Sequence, residues 1–342
     1  MKIVLPYISQ VGETLEDNII TGGVEKHVLN IYKEFDCIPF EVGKHETRNY
    51  RNIIKRLELI IESHKPDIVY NNYLMKSFDS STIPTLKTMH GLQMGGFLNL
   101  NYINYYNDRK SNHSFAGVSK LQERGFDELS QRLRNNKFVF DFITCPDYVK
   151  EKHIVEEPEY DFATIGRLEE WNDPLFLGKI AKDYDYKCFT TSIETEIGRS
   201  NTKAIKYLEK NKIPEENHYT DYPHDKIMNE ISKSKVYVST WPHESFGVAI
   251  MEALSKGVPC ILCTKNNKLL KGKHASEEIS PSPEYVRVIH KSSPKEEFIK
   301  AYEELSKLDR QKIADDTYEK HNKSKWKKQY EDAFRLTIER ST

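Results

Sequence analysis

The chain has no excess charge of either sign: 51 Lys and Arg stand against 52 Asp and Glu in 342 residues. Net charge therefore selects no polyanionic partner, although a local basic surface stays open. Cysteine is scarce, and five scattered residues do not make the dense disulfide framework of a small secreted domain. Cys260 and Cys263 form a C-x2-C pair, but no second pair with zinc spacing accompanies them. Inside VPCILC they read as two strand residues. No apolar run approaches the roughly 20 residues needed to span a bilayer. The N-terminal MKIVLPYIS, with its single charge, reads as a first strand and not as a signal peptide. A cytoplasmic protein is expected, with peripheral membrane contact left open. Internal repeats and low-complexity tracts are lacking too.

What is present is the composition of folded globular domains, 38% apolar and 11% aromatic, in a chain longer than one hydrophobic core usually serves. Short apolar runs alternate with longer amphipathic segments. KIVLPYI (2–8), PDIVYNN (66–72), IPTLKTM (83–89) and HSFAGVS (113–119) read as buried strands. VEKHVLNIYKEF (24–35) and YRNIIKRLELIIESH (50–64) place apolar residues at helical spacing. The alternation implies a mostly parallel sheet covered by helices on both faces. A charged, irregular stretch at 146–160 then precedes a second series, with strands at 161–166, 186–191, 235–240 and 258–263. We therefore expect one α/β domain over 1–150 and a second over 151–323, facing each other across a cleft. In the last segment, 324–342, Trp326, Tyr330, Phe334 and Ile338 recur every fourth residue and predict an amphipathic helix. Its apolar stripe is expected to dock back on the first domain.

The segment KVYVSTWPHESFGVAIMEALSKGVPCILC (235–263) concentrates the chemistry. A buried strand ends in the polar loop WPHES. A helix begins near Phe246–Gly247 and is stopped by Gly257 and Pro259. A helix N-terminus at the carboxyl end of a parallel strand is a natural phosphate site, and Gly247 lets a ligand approach the backbone. Glu244 in the loop is placed to accept hydrogen bonds from a sugar or ribose diol, with Glu252 further along the helix. Physical reasoning alone leaves this reading level with an ordinary βαβ crossover carrying a capping and an exposed glutamate.

HESFGVAIMEALSKGVP resembles the E-x7-E signature of retaining GT-B glycosyltransferases, the glycogen synthase-like group, with Glu244, Phe246, Gly247, Glu252, Ala253, Gly257 and Pro259 in register. The resemblance implies a GT-B fold, two Rossmann-like domains, and transfer of a sugar from a nucleoside diphosphate, most commonly UDP. It implies that Glu244 contacts the donor sugar and Glu252 the nucleotide ribose. The backbone of Phe246, Gly247 and Val248, beside Ser245, would meet the diphosphate. ATIGRLEEWNDPLFL (163–177) is similar to the family's strand ending in Gly-Arg, so Arg167 would pair with the donor phosphates. Asn172 stands where the family has lysine, which leaves Lys179 or another lysine to supply the second cation. TGGVEKHVLNIYKEF (21–35) resembles the glycine pair beneath the donor phosphates, here Gly22 and Gly23. His90 follows a buried strand where family members carry a histidine near the reacting centre. Ser119 is read as a helix cap.

The resemblance implies no metal and no cofactor beyond the donor, and no D-x-D-like pair sits where a metal-dependent transferase needs one. No convincing enzymic nucleophile is evident, so attack from the face of the leaving diphosphate is the family's favoured explanation. For the acceptor, 44–56 holds Lys44, Arg48, Arg51, Lys55 and Arg56 against one acid, Glu46. Residues 99–113 interleave Tyr102, Tyr105 and Tyr106 with Arg109 and Lys110. Basic and aromatic side chains together suit phosphates and unstacked bases. The chain is loosely similar to phage α-glucosyltransferases that modify hydroxymethylated cytosine in DNA. That likeness implies double-stranded DNA as acceptor, base flipping, and a place in the host cytoplasm. Bacterial polysaccharide or lipid-linked acceptors are the main alternative, since the basic segment also suits a membrane surface. A non-hydrolysing sugar-nucleotide epimerase fits the two glutamates poorly. A catalytically inactive sugar-nucleotide-binding protein stays open because of Asn172.

Overall fold

The short apolar runs form two sheets in which every strand pair is parallel. The computed structural model describes residues 1–9, 23–73, 76–90, 112–132, 137–166, 180, 184–190, 218–220, 223–241, 244–264 and 274–342. The chain divides into two units, Met1–Tyr148 with Lys323–Thr342, and Val149–Asn322.

The first unit contains β1 Lys2–Ser9, β2 Asp36–Gly43, β3 Ile68–Asn71, β4 Thr85–Met89, β5 His113–Gly117 and β6 Phe142–Ile143. They lie in the order β2-β1-β3-β4-β5-β6. Alternation along β1 sends Ile3, Leu5 and Tyr7 to one face and Val4 to the other. The first face is covered by the helix Gly23–Glu34 and the last helix of the chain, Lys323–Glu339. The second is covered by Tyr50–His64 through Ile53, Leu57 and Ile61. β2 is not evident from sequence because Pro39 and two acids interrupt its apolar run. It is an edge strand paired along its length with β1, a place where proline is tolerated.

The last helix belongs to this unit although the chain reaches it from the other. Trp326, Tyr330 and Phe334 are buried against Ile3, Leu5, Ile68 and Tyr70. The Trp326 indole N–H and the Tyr330 hydroxyl both donate to the Cys145 carbonyl, at 2.9 and 3.1 Å. Lys323 pairs with Glu34 at 2.6 Å.

The second unit contains β7 Tyr160–Ile165, β8 Tyr186–Thr190, β9 His218–Thr220, β10 Ser234–Ser239, β11 Cys260–Thr264 and β12 Val286–His290. Their order is β12-β11-β10-β7-β8-β9, the doubly wound arrangement that reverses direction between its first and fourth strands, β7 and β10. The helix Lys295–Leu305 covers one face through Phe298, Tyr302 and Leu305. His224–Ser232, Val248–Ser255 and Ile313 of Arg310–His321 cover the other. Cys260 and Cys263 lie in β11 on opposite faces, in different core clusters, so they cannot jointly hold one ion. Gly257 ends the helix Val248–Ser255 at φ 75°, where a Cβ would strike the Arg310 carbonyl oxygen. Arg310 in turn donates to the carbonyls of Gly257 (3.2 Å), Glu156 (2.9 Å) and Ser232, joining two loops to the end of the helix His224–Ser232.

Replacing a fully buried, hydrogen-bonded tryptophan opens a cavity and leaves the Cys145 carbonyl to the Tyr330 hydroxyl alone. Trp326→Ala should therefore lower stability by about 3–5 kcal/mol. A urea titration followed by circular dichroism measures it, and an unchanged midpoint would show that the last helix contributes nothing to the first unit.

Candidate active site

In the second unit, the strands on either side of the reversal, β7 and β10, pair directly through Val236 with Phe162 and Tyr237 with Ala163. Their crossovers leave in opposite directions, and a crevice forms at the carboxyl ends of such a pair. The Tyr237 hydroxyl donates to the Ile165 carbonyl at 3.3 Å and ties the two strand ends together. After β10 the chain passes Thr240 and Trp241 and reaches Glu244, Ser245, Phe246 and Gly247 before entering the helix Val248–Ser255.

Gly247 makes that turn with φ 92°, and a Cβ there would lie 2.5 Å from the Ser276 hydroxyl and 2.8 Å from Ile250 Cδ1. Both the left-handed conformation and the close approach demand glycine. Phe246 is buried and anchors the loop from below. Gly247 stands at the N-cap and, among the described residues, no side chain caps the helix that follows, so its N-terminus and the positive end of its dipole suit an anion.

A second segment braces the loop. The Ser276 hydroxyl donates to the Phe246 carbonyl at 2.7 Å. His274 Nδ1 accepts from the Ser276 N–H at 3.3 Å, so its Nε2–H donates to the Trp241 carbonyl at 3.0 Å. Sequence reasoning missed both residues, because they lie 33 and 30 positions downstream of the groups they hold.

Glu244 retains partial solvent access, yet burial pushes its carboxyl up from 4.5 to about 7. Among the described residues no hydrogen bond or ion pair compensates that desolvation. Glu252, nearly buried, accepts from His224 Nε2 at 2.9 Å. His224 is the first residue of the helix His224–Ser232, another group overlooked in the sequence. The geometry brings Glu244, Ser245, Phe246, Gly247, Val248 and Glu252 onto one loop and helix at the reversal of the sheet.

The first unit holds the other candidates. Gly23 opens the helix Gly23–Glu34. His90 follows β4 and lies 3.2 Å from Asn72 Oδ1 through its Nε2. Its ring is 5.0 Å from that of His27, which is completely buried. His27 Nδ1–H donates to the Pro146 carbonyl at 2.7 Å, leaving Nε2 to accept from the Tyr70 hydroxyl at 2.8 Å. Burial lowers His27 to about 4, and burial followed by the neighbouring His27 lowers His90, so both rings are neutral near pH 7. Ser119 accepts from the Gln122 N–H at 3.1 Å and caps Lys120–Arg132. Arg48 and Arg51 are exposed, whereas Arg56 is committed to Glu46 at 3.2 Å and to the Glu41 carbonyl at 2.8 Å. Gly22, Arg167, Asn172, Lys179, Tyr102, Tyr105, Tyr106, Arg109 and Lys110 lie outside the described residues. Among the described residues no group of three or more His, Cys, Asp or Glu is placed to hold a metal ion, and no helix is long and apolar enough to cross a membrane.

No protein-family model and no curated protein matches this chain. Solved structures do. A glycosyltransferase from Rickettsia africae superposes with a TM-score of 0.71 at 14% identity, covering 98% of each chain. Sucrose-phosphate synthase from Thermosynechococcus elongatus gives 0.71 at 10% identity, again over 98% of each. HepE of Anabaena, solved in complex with UDP, gives 0.68 at 12% identity over 98% of this chain and 100% of its own. The fold is that of the GT-B glycosyltransferases.

The Glu244 carboxyl holds its proton to higher pH when folded than when unfolded. Folded-state stability is therefore lost as pH rises from 4.5 through about 7. Glu244→Gln stays neutral throughout. Its gain in melting temperature over the parent protein should be absent near pH 4.5, grow through that window and level off above about 7. A gain independent of pH would show that the carboxyl is not desolvated.

Proposed function

We propose that this protein is a retaining glycosyltransferase that moves a sugar from a nucleoside diphosphate, UDP by preference, to an acceptor hydroxyl. One observation carries the reading. Glu244, the uncapped helix after Gly247 and Glu252 share the carboxyl edge where the doubly wound sheet reverses, in the register of the E-x7-E signature. UDP complexes of HepE and of the pneumococcal O-GlcNAc transferase GtfA, which share the fold, supply the donor class.

In this reading the diphosphate docks on the free amides of Val248 and its neighbours. Charge developing on the leaving group is stabilised there without reorganisation. Arg167, two positions beyond the end of β7 in the sequence, adds a cation. Asn172, in place of lysine, shifts more of the burden to the helix, and a metal is not required. Glu252 takes the ribose diol with one carboxylate oxygen oriented by His224. Glu244, desolvated and poised near neutrality, binds hydroxyls of the transferred sugar. No enzymic nucleophile is needed when the acceptor attacks from the leaving-group side and the departing phosphate takes its proton, and that path retains the anomeric configuration.

For the acceptor we propose a hydroxymethylated pyrimidine in DNA. Arg48 and Arg51, exposed after β2, supply cations suited to phosphates, and the likeness to phage α-glucosyltransferases supports this choice.

A panel of radiolabelled UDP-sugars, incubated separately with hydroxymethylcytosine DNA, lipid-linked sugars and polysaccharide, tests both layers. Label entering the DNA is expected, with the anomeric configuration of the product read by NMR. Label entering lipid or polysaccharide instead replaces the acceptor. UDP binding with no turnover of any donor marks a binding protein. Glu244→Ala should lower transfer by about 10- to 100-fold, and near-normal transfer would overturn the site assignment.

A further inference from the structure

Two polar rungs climb between β3 and β4 on the face covered by the first and last helices of the first unit. Tyr70 and Asn72 occupy alternate positions, as do Thr88 and His90, so the paired side chains share that face. Tyr70 and Thr88 hydroxyls meet at 2.8 Å, and the next rung up is Asn72 with His90 at 3.2 Å. His27 closes the cluster, with one nitrogen bonded to Pro146 and the other to Tyr70.

Every group of this ladder so far named has its bond except one. Asn72 is 3% exposed, its Oδ1 faces His90 Nε2, and its Nδ2 has no partner among the described residues. The preceding residue shows what full local satisfaction looks like. Asn71 Nδ2 donates to Asp79 at 2.8 Å, and its Oδ1 accepts from the Tyr73 N–H at 3.1 Å. A buried amide donor without an acceptor opposes folding, and such groups are kept where a ligand or water completes them. Asn72 directly follows the carboxyl end of β3. The order β2-β1-β3 makes that the reversal point of the first sheet, the edge where ligands of doubly wound sheets bind.

The available donor is neutral, and the imidazoles beside it are neutral too. An uncharged hydroxyl suits such a site better than a phosphate, which calls for cations or helix amides. We propose that Asn72 is a donor-sugar residue: its Nδ2 donates to one hydroxyl of the transferred sugar, while its Oδ1 holds His90 in the Nε2–H form beside that sugar. Asn72 thus contacts substrate directly and also positions His90. The inference rests on the glycosyltransferase reading, which gives the hydroxyl its source.

Hydroxyl deletion separates contact from mere support. Turnover of UDP-glucose, UDP-galactose and UDP-N-acetylglucosamine, as transfer or as donor hydrolysis, identifies the best donor for the parent protein. Monodeoxy analogues of that donor are then compared on parent, Asn72→Ala and Asn72→Asp, the last keeping the acceptor toward His90 without the donor. With the complete sugar both variants should lose about 10- to 100-fold in kcat/KM. With the one analogue lacking the contacted hydroxyl, the loss should shrink to less than about threefold. Affinity for UDP alone should not change. Asn72→Asp preserves size, so it keeps the test valid should Asn72→Ala fail to fold. Equal losses on every analogue would assign Asn72 to holding the strand ends and overturn the proposal, as would no loss at all. A parent protein that turns over none of the donors overturns the glycosyltransferase reading and this inference together.

Discussion

A parallel strand cannot be followed directly by its neighbour; the chain must cross back over a face of the sheet. This constraint shapes each unit of the structure. Because all strands run one way, every loop after a strand emerges on one edge, and every crossover helix points its N-terminus toward that edge. Where the strand order reverses, two crossovers leave on opposite sides and nothing fills the space between them. The reversals fall between β1 and β3 and between β7 and β10. Asn72 and Glu244 each follow a strand flanking one of these points. The function proposed here is assigned to these points because the backbone topology leaves room and helix N-termini there.

The loop at the second reversal is held in a form that costs free energy. Among the described residues no side chain caps the helix after Gly247, and no bond offsets the desolvation of Glu244. Opposing these costs are Phe246 in the core and the His274–Ser276 brace on the Trp241 and Phe246 carbonyls. For the proposed donor such an arrangement is preorganised: the loop and helix start are fixed by these contacts before any ligand arrives, so little reorganisation is spent on binding. His27 serves the first unit in a comparable way. Its two bonds exhaust both ring nitrogens and keep it neutral, so no charge repels the imidazole of His90 at its side.

Much of the architecture was legible in the chain. Apolar runs of strand length, VPCILC and KVYVST among them, are too short for core helices and lack alternation, as strands buried on both faces must. Their separation by amphipathic segments implied parallel sheets, and β1, β3, β4, β5, β7, β8, β10 and β11 lie where those runs lie. β2 escaped because an edge strand is exposed on one side and admits Pro39 and acidic residues that a central strand would reject. At the candidate site the loop and its helix were legible for a local reason: Gly247 and Gly257 mark the two ends of one crossover, and both need positive φ.

Sequence by itself determined whatever depends on neighbours along the chain: the period of each element, the glycines at its turns, the cap Ser119 places on its helix, and the spacing that sets Glu244 and Glu252 on one loop and helix. Only tertiary structure decided what depends on strands and segments brought together from afar. It joined His224 to Glu252 and His274 to Trp241. It seated Trp326 on the first sheet and left the Nδ2 of Asn72, beside His90, without a partner among the described residues. The physical reason is that hydrogen-bond satisfaction and desolvation are properties of a residue's surroundings in space. Asparagine and histidine have the same donors and acceptors in any sequence, and only the fold assigns which of them are used.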